Sequence, residues 1–284
     1  MTSEFEFTEP GNAATSGRGA MLTRPSGQAG VLLLALVCGV AAFAPVLTQT
    51  DPYALSGPPL TAPSPQHLMG TDALGRDLFS GVLYGARTSL GIALGVTALT
   101  FLCGMSVGLV GGYRGGRIDA LLMRVTELLQ VLPRFFLVLV AVALIGSGPD
   151  RLILVLGVTS WPVLARVVRG DVLRLRASDF VVAARAAGAS NSRVLVRNLL
   201  PNVLPNAIAV TGLVFGQIIL IEASLGFLGF GDPSAMSWGL LAAQAQPLLR
   251  VAWWLALFPG LSISITVLGV NLAADAYLAS RDRR

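Results

Sequence analysis

Few side chains in this sequence have the type and spacing that chemistry requires. There is one histidine, His67, and no Cys, Asp or Glu stands at metal-ligand spacing around it, so it reads as a loop histidine and no metal site is expected. The two cysteines, Cys38 and Cys103, lie inside apolar runs and read as small buried hydrophobes rather than a disulfide or a thiol nucleophile. Neither a Ser-His pair, a Ser-Lys pair nor paired intramembrane aspartates can be found, so catalytic residues are expected to be none and a membrane-embedded protease or transferase lacks its groups. The chain contains no lysine, which excludes a phosphate-binding loop of the G-x-x-x-x-G-K-[ST] form. If nucleotide hydrolysis drives this protein, another chain performs it.

The charges that remain fall into three groups. Asp72, Arg76 and Asp77 crowd one connection, where the expectation is that they fix the loop by pairing rather than touch a substrate. Arg124, Glu127 and Arg134 are spaced three and seven residues apart on one helical face, as an internal ion-pair network or as the lining of a gate, and the structural version is preferred. Glu222 ends the fifth apolar run, where it is either part of a pathway or an interfacial carboxylate bonded to loop backbone.

What must position these groups is a set of apolar helices. Of 284 residues 54% are hydrophobic and 12% charged, about half the ordinary charged share, which a water-exposed surface does not tolerate and a bilayer requires. The reading is all-α, with six spans. Residues 1–29 form a disordered tail and 30–47 the first span. The alternative of a cleaved signal peptide, raised by Ala42-Phe43-Ala44, is disfavoured by Pro45 beside the scissile bond. A connection covers 48–86, and a core of five spans covers 87–278, followed by a short tail, 279–284.

Within that core, Thr88 to Tyr113 carries Gly91, Gly95, Gly104 and Gly108, small residues that allow close helix approach. The third span, from about Ala120 to Ile145, is expected to kink at Pro133. The fourth ends near Val168, an arginine-rich loop covers 169–200, and the fifth runs from about Asn202 to Ile221. A short interfacial helix and the sixth span, Val251 to Ala274, complete the set, with Trp253, Trp254 and Tyr277 as interface anchors. Placing the N-terminus inside leaves fifteen arginines on the cytoplasmic side and four outside, so both termini and the 169–200 loop are expected to be cytoplasmic. The arginines are scattered without interleaved aromatics, so no nucleic acid is expected as a partner.

In the arginine-rich loop, Ser178-Asp179-Phe180 opens a helix with a serine cap and an acid in the first turn. Gly188 permits a left-handed stop, and Ser190-Asn191-Ser192 caps a second helix that ends at Leu200. Such a hairpin suits a lipid surface and a protein partner equally well. Its residues are more specific than its shape. Val182-Ala183-Ala184-Arg185-Ala186-Ala187-Gly188, with Leu200-Pro201 following, resembles the E-A-A, G, L-P loop of permease subunits in ABC importers. Val182 stands where that motif has Glu and Asn198 where it has an apolar residue.

The likeness extends beyond the loop. Gly70-Thr71-Asp72-Ala73-Leu74-Gly75-Arg76-Asp77, Tyr84 to Leu90, Gly111 to Gly116, Glu222 to Gly229 and Ser237-Trp238-Gly239 follow in the order seen in dipeptide, oligopeptide and nickel permeases. They cover about residues 65–278 and are most similar to the second, six-span membrane subunit of those importers. The resemblance implies a bacterial plasma-membrane subunit paired with a second, related permease around a central pathway. It implies two ATPase subunits or domains that hold Mg-ATP, while this chain binds no cofactor. Ala183, Ala184, Arg185, Ala186, Ala187, Gly188 and Pro201 would form the ATPase-coupling loop. An extracytoplasmic substrate-binding protein would meet the 48–86 and 226–250 segments, with Asp72, Arg76, Asp77 and Trp238 as contacts or as structural residues, and Glu222, Glu127 and Arg134 would belong to the pathway or gate. A self-contained ion-coupled transporter would show an internal repeat and midplane carboxylates, and neither is seen.

Overall fold

A computed structural model describes residues 25–131 and 133–280, so expectations for residues 1–24 and 281–284, including Arg18, Arg24, Arg281, Arg283 and Arg284, lie outside the described residues. Among those described there is no strand, only two isolated bridges in a loop, and the backbone amides are satisfied within helices as an apolar surrounding demands. The helices are α1 (Pro25–Leu47), α2 (Leu78–Arg114), α3 (Gly116–Val131), α4 (Arg134–Ile145) and α5 (Pro149–Leu175). They continue as α6 (Asp179–Ala186), α7 (Asn191–Phe230), α8 (Trp238–Ala245) and α9 (Trp254–Ala279). Five of them, α1, α2, α5, α7 and α9, are long and apolar enough to cross a membrane, and α3 with α4 would make a sixth.

Four boundaries differ from the sequence expectation, two of them through packing and one through a helix cap. Helix α1 begins at Pro25, inside the stretch assigned to a disordered tail, because its first turns press on α9; a Cβ at Gly30 would stand 2.6 Å from the backbone nitrogen of Ala273. Helix α2 begins at Leu78 rather than in the upper eighties, since Asp77 accepts the Ser80 amide and starts the helix there. Helix α5 runs past Val168 to Leu175, with Val168 and Val172 fully buried, so Arg169 and Arg174 belong to the helix rather than to a loop. Helix α9 holds residue 279, which had been placed in the tail.

The third span is not one kinked helix. Helices α3 and α4 meet at 80°, far beyond a proline kink, and among the described residues α3 leaves a stripe of Leu121, Val125 and Leu128 exposed. The expected second hairpin helix is likewise not a separate element. It is the beginning of α7, whose ladder widens into a π turn over Val194–Leu199 before continuing as Leu200–Leu225. The carbonyl four residues before Pro201 belongs to Arg197, inside that wide turn, so the turn takes up the hydrogen bond and the space that a proline denies a regular helix.

Helices α2 and α5 lie against one another along their length. Gly104, Gly108 and Gly112 on α2 face Leu164, Val168 and Val172 on α5, where an added Cβ would come within 2.8 Å, 2.6 Å and 2.8 Å of the opposing side chain. Gly91, of the same spacing family, faces open space. Three apolar clusters sit along the bundle: a central one around Leu90, Val96, Leu156, Ile218 and Ile219, and one at each end. Outside them large apolar side chains stand free, Leu144 at 80% exposure and Leu32 at 70%, which is the surface a hydrocarbon solvent accepts and water does not.

Candidate functional site

Between α5 and α7 the chain makes a compact elbow, residues 176–190, at one end of the bundle. Asp179 complements the start of α6, and the Ser178 carbonyl accepts the Val181 and Val182 amides, yet the Ser178 hydroxyl turns back to the Leu175 carbonyl and does not cap the helix as expected. At the far end of α6 the amide of Ala189 reaches the carbonyl of Ala184 and that of Gly188 the carbonyl of Arg185, the double bond of a Schellman stop. Gly188 adopts φ +81°, the left-handed conformation that this stop needs. Ser190 then caps α7 by accepting the Arg193 amide.

The elbow is apolar at its root and bare at its tip. Val181, Val194 and Leu199 are fully buried with Leu164, Val168 and Val172, so the elbow is bolted to α5 and α7. Phe180, Val182, Ala183, Arg185, Ala186, Ala187 and Gly188 are exposed, with Ala184 half-buried, and the outer face therefore presents small residues and two apolar ones. Pro201 lies exposed in α7, away from this tip.

A second set of contacts ties the elbow to the end of α2. The Arg185 guanidinium lies over the Tyr113 ring, 5.3 Å from its centroid, and the Tyr113 hydroxyl donates to Asn191 Oδ1 at 2.7 Å. Arg176 donates to the carbonyls of Gly112 at 3.0 Å and Tyr113 at 3.4 Å, cationic partners for the free carbonyls of a helix C-terminus. Beside them Arg169 grips Asp119 with two parallel bonds of 2.5 and 2.6 Å, joining α5 to the first turn of α3.

At the opposite end a strap formed by residues 48–77 crosses the bundle. Asp72 accepts the amides of Leu74 and Arg76, both at 2.8 Å, and Asp77 caps α2 while meeting His67 Nδ1 at 3.3 Å. Arg76 stacks on Tyr53, its guanidinium carbon 5.7 Å from the ring centroid, and among the described residues it pairs with neither aspartate. The expected mutual pairing is thus corrected: Asp72 is held by backbone amides and Asp77 by the Ser80 amide and hydroxyl and by His67, and neither is held by Arg76. Tyr53 extends the strap to the 231–237 loop, donating to the Ser234 carbonyl and accepting the Met236 amide. There Asp232 is held below the usual carboxylate range by the hydroxyl and then the amide of Ser234.

Trp238 is 2% exposed, with Nε1 donating to the Val82 carbonyl and its amide to Ser89 Oγ, so it fastens α8 to α2 and offers no surface for an outside contact. Trp254 is also buried, bonded to the Thr71 carbonyl, whereas Trp253 is 55% exposed and Tyr277 half-buried; of the three expected interface anchors Trp254 lacks the exposure for that role. Glu222 is buried between α2 and α8 and accepts a hydrogen bond from the Ser89 hydroxyl at 3.0 Å. This partner is a side chain rather than the loop backbone, and the cleft Glu222 shares with Asp232 is only 10 Å³, room for a single water.

The expected network of Arg124, Glu127 and Arg134 does not form. Arg124 and Glu127 make an exposed contact of 3.7 Å, worth a few tenths of a kcal/mol. The break before α4 carries Arg134 away to Ser160 Oγ at 3.4 Å and Gln217 Oε1 at 3.5 Å, where no carboxylate pairs with it among the described residues. No signal in the sequence joins Asp119 to Arg169, or Tyr113 to Asn191, which is marked there only as part of the Ser190-Asn191-Ser192 cap. The Gly-Gly-Tyr-Arg-Gly-Gly string pointed at the neighbourhood, but no spacing rule joins residue 113 to 185 or 191.

The chain matches the family model of the binding-protein-dependent transport system inner membrane component over residues 101–284. It is 41% identical to a protein of Brucella suis biovar 1 described as a peptide transport system permease, with 90% of this chain and 86% of the relative covered. It is 36% identical to the dipeptide transport system permease protein DppC of Alkalihalophilus pseudofirmus, with 87% and 82% covered. It is 34% identical to the oligopeptide transport system permease protein OppC of Bacillus subtilis, with 87% and 81% covered. Among solved structures, a chain of the inward-facing MetNI methionine ABC transporter superposes with a TM-score of 0.59 at 20% identity, covering 70% of this chain and 96% of that one, which is a likeness of fold.

Proposed function

The chain belongs to the inner membrane components of binding-protein-dependent transport systems, and from that premise we propose that it is the permease half of an ATP-driven peptide importer, coupled to its ATPase through the elbow at residues 176–190. The observation that carries the coupling role is the elbow itself. Its root is locked into a buried cluster, so a push at the tip moves α5 and α7 rather than bending a loop, and its tip is small enough to enter a groove. Val182, 55% exposed in place of an acid, makes the contact apolar at that point.

In this reading the elbow and both termini face the cytoplasm, in keeping with the arginine excess at that end. Two ATPase subunits or domains hold Mg-ATP, and their closing and reopening rocks this chain against a second, related permease around a shared pathway. The exposed stripe of α3 and the exposed face of α4 are surfaces which that permease or lipid would cover. A soluble binding protein delivers peptides, or related small solutes, to the strap end. This chain performs no catalysis of its own.

The test is cross-linking in the assembled complex. A cysteine placed at Ala186, in a chain whose Cys38 and Cys103 are replaced by serine, is expected to form a cross-link to the ATPase. A cysteine at Ser64 in the strap is expected to form none. Failure at position 186 with the complex intact would refute the coupling role.

A further inference from the structure

We propose that Tyr113 is a positioning residue that locks the tilt of the elbow to α2, so that displacement of the elbow is delivered along α2 to the strap end. This rests on the reading of the elbow as the place where work enters. Seen only through its flanks, the elbow hangs from α5 and α7. Tyr113 belongs to neither flank. It stands at the end of α2 and touches both legs of the elbow, its ring under Arg185 of α6 and its hydroxyl on Asn191 at the start of α7. Arg176 closes the triangle from the α5 side through the Gly112 and Tyr113 carbonyls. Arg185, the one cation among the exposed alanines of the tip, is therefore engaged within its own chain.

What lies at the other end of the rod gives the tie its purpose. Helix α2 has 37 residues, which at 1.5 Å each spans about 55 Å. Its glycine row holds it flush against α5, so it moves as a stiff body with that helix. Near its start, Ser89 holds Glu222 and the Trp238 amide, and the Val82 carbonyl holds the Trp238 indole. A rotation of α2 therefore reaches α7 and α8 at the strap end through these buried bonds, without passing along the sequence. The Tyr113 ring packs at the edge of the elbow's apolar root, whose fully buried members Val181, Val194 and Leu199 stay in place when it is shortened to leucine, so the elbow stays folded while its tie to α2 loosens.

The experiment uses the full complex with its own second permease, ATPase and binding protein, reconstituted in proteoliposomes and supplied with a mixture of radiolabelled di- and oligopeptides. Uptake and ATP hydrolysis are measured together, and spin labels at Ala187 and Arg114 report the separation of elbow and rod. Tyr113→Leu is expected to lower peptide taken up per ATP at least fivefold and to broaden the 114–187 distance distribution. Tyr113→Phe keeps the ring under Arg185 but loses the bond to Asn191 and, like Asn191→Ala, is expected to fall about twofold, between the unaltered chain and Tyr113→Leu. Arg185→Gln should fall like Tyr113→Leu, and the double variant should be no worse than the lower single one. If Tyr113→Leu does not accumulate, Arg185→Gln and Asn191→Ala carry the test on the same two readouts. An unchanged distance distribution overturns the tie whatever the transport result. Absence of ATP-driven uptake by the unaltered complex would overturn the importer reading instead, while the distances still judge the tie.

Discussion

Gly188 separates two effects that a single substitution would merge. It needs φ +81°, yet nothing lies within 4 Å of the place a Cβ would occupy. Gly188→Ala and Gly188→Leu thus carry the same backbone cost, on the order of 1–2 kcal/mol, and differ only in bulk at the tip. If the tip enters a groove, the alanine variant should keep most of its uptake, while the leucine variant should lose uptake and continue to hydrolyse ATP; equal behaviour of the two would leave bulk without a role. Asp232 makes a prediction about pH. Its carboxyl is depressed by the Ser234 hydroxyl and amide, so the order it gives the 231–237 loop is present above the ordinary aspartate value of about 4 and is lost as pH falls through the lower folded value. Protection of the Ser234 amide, taken relative to its intrinsic exchange rate at each pH, should therefore fall below that range, and Asp232→Asn should flatten that pH dependence.

Among elements, the contact of α2 with α5 is the one that fixes the rest, since it joins the elbow end to the strap end. At Gly108 the approach involves backbone as well as side chain, with Val168 Cβ 2.6 Å and the Ala165 carbonyl 2.7 Å from an added Cβ. Gly108→Leu is expected to force the helices apart, at a cost of about 1–3 kcal/mol or more, and to lower the unfolding midpoint in detergent. Gly91→Leu, on the same helix but facing open space, should leave the midpoint unchanged. The spacing of these glycines was legible in the sequence. Which of them meets another helix was not, because a stripe of small residues does not say where its partner lies. The same limit explains α3 and α4: Pro133 marks a break, but the 80° angle comes from what each half packs against.

For the whole molecule the consequence is a protein with two unlike ends. A single cysteine at Ala186 in intact cells should resist a membrane-impermeant maleimide added outside, and one at Leu68, 63% exposed in the strap, should react once the outer envelope is opened. The reverse pattern would invert the topology. Both ends are held by bonds between residues far apart in sequence, Tyr53 to Ser234, Ser89 to Glu222 and Tyr113 to Asn191, so the bundle is tied at its rims as well as by apolar contact along its length.

Composition and apolar run length determined that this is an all-helical membrane protein, because a bilayer admits few other ways to satisfy a backbone. The missing lysine excluded a P-loop ATPase, and the Ala-Ala-Arg-Ala-Ala-Gly string marked the elbow through local turn chemistry, which depends only on neighbours in sequence. Tertiary structure alone decided that Trp238 and Glu222 are buried, that Arg134 leaves Glu127, and that Tyr113 binds both legs of the elbow. Each of those depends on which helix faces which, and period and spacing in one strand of sequence carry no information about the rotation of a second helix against the first.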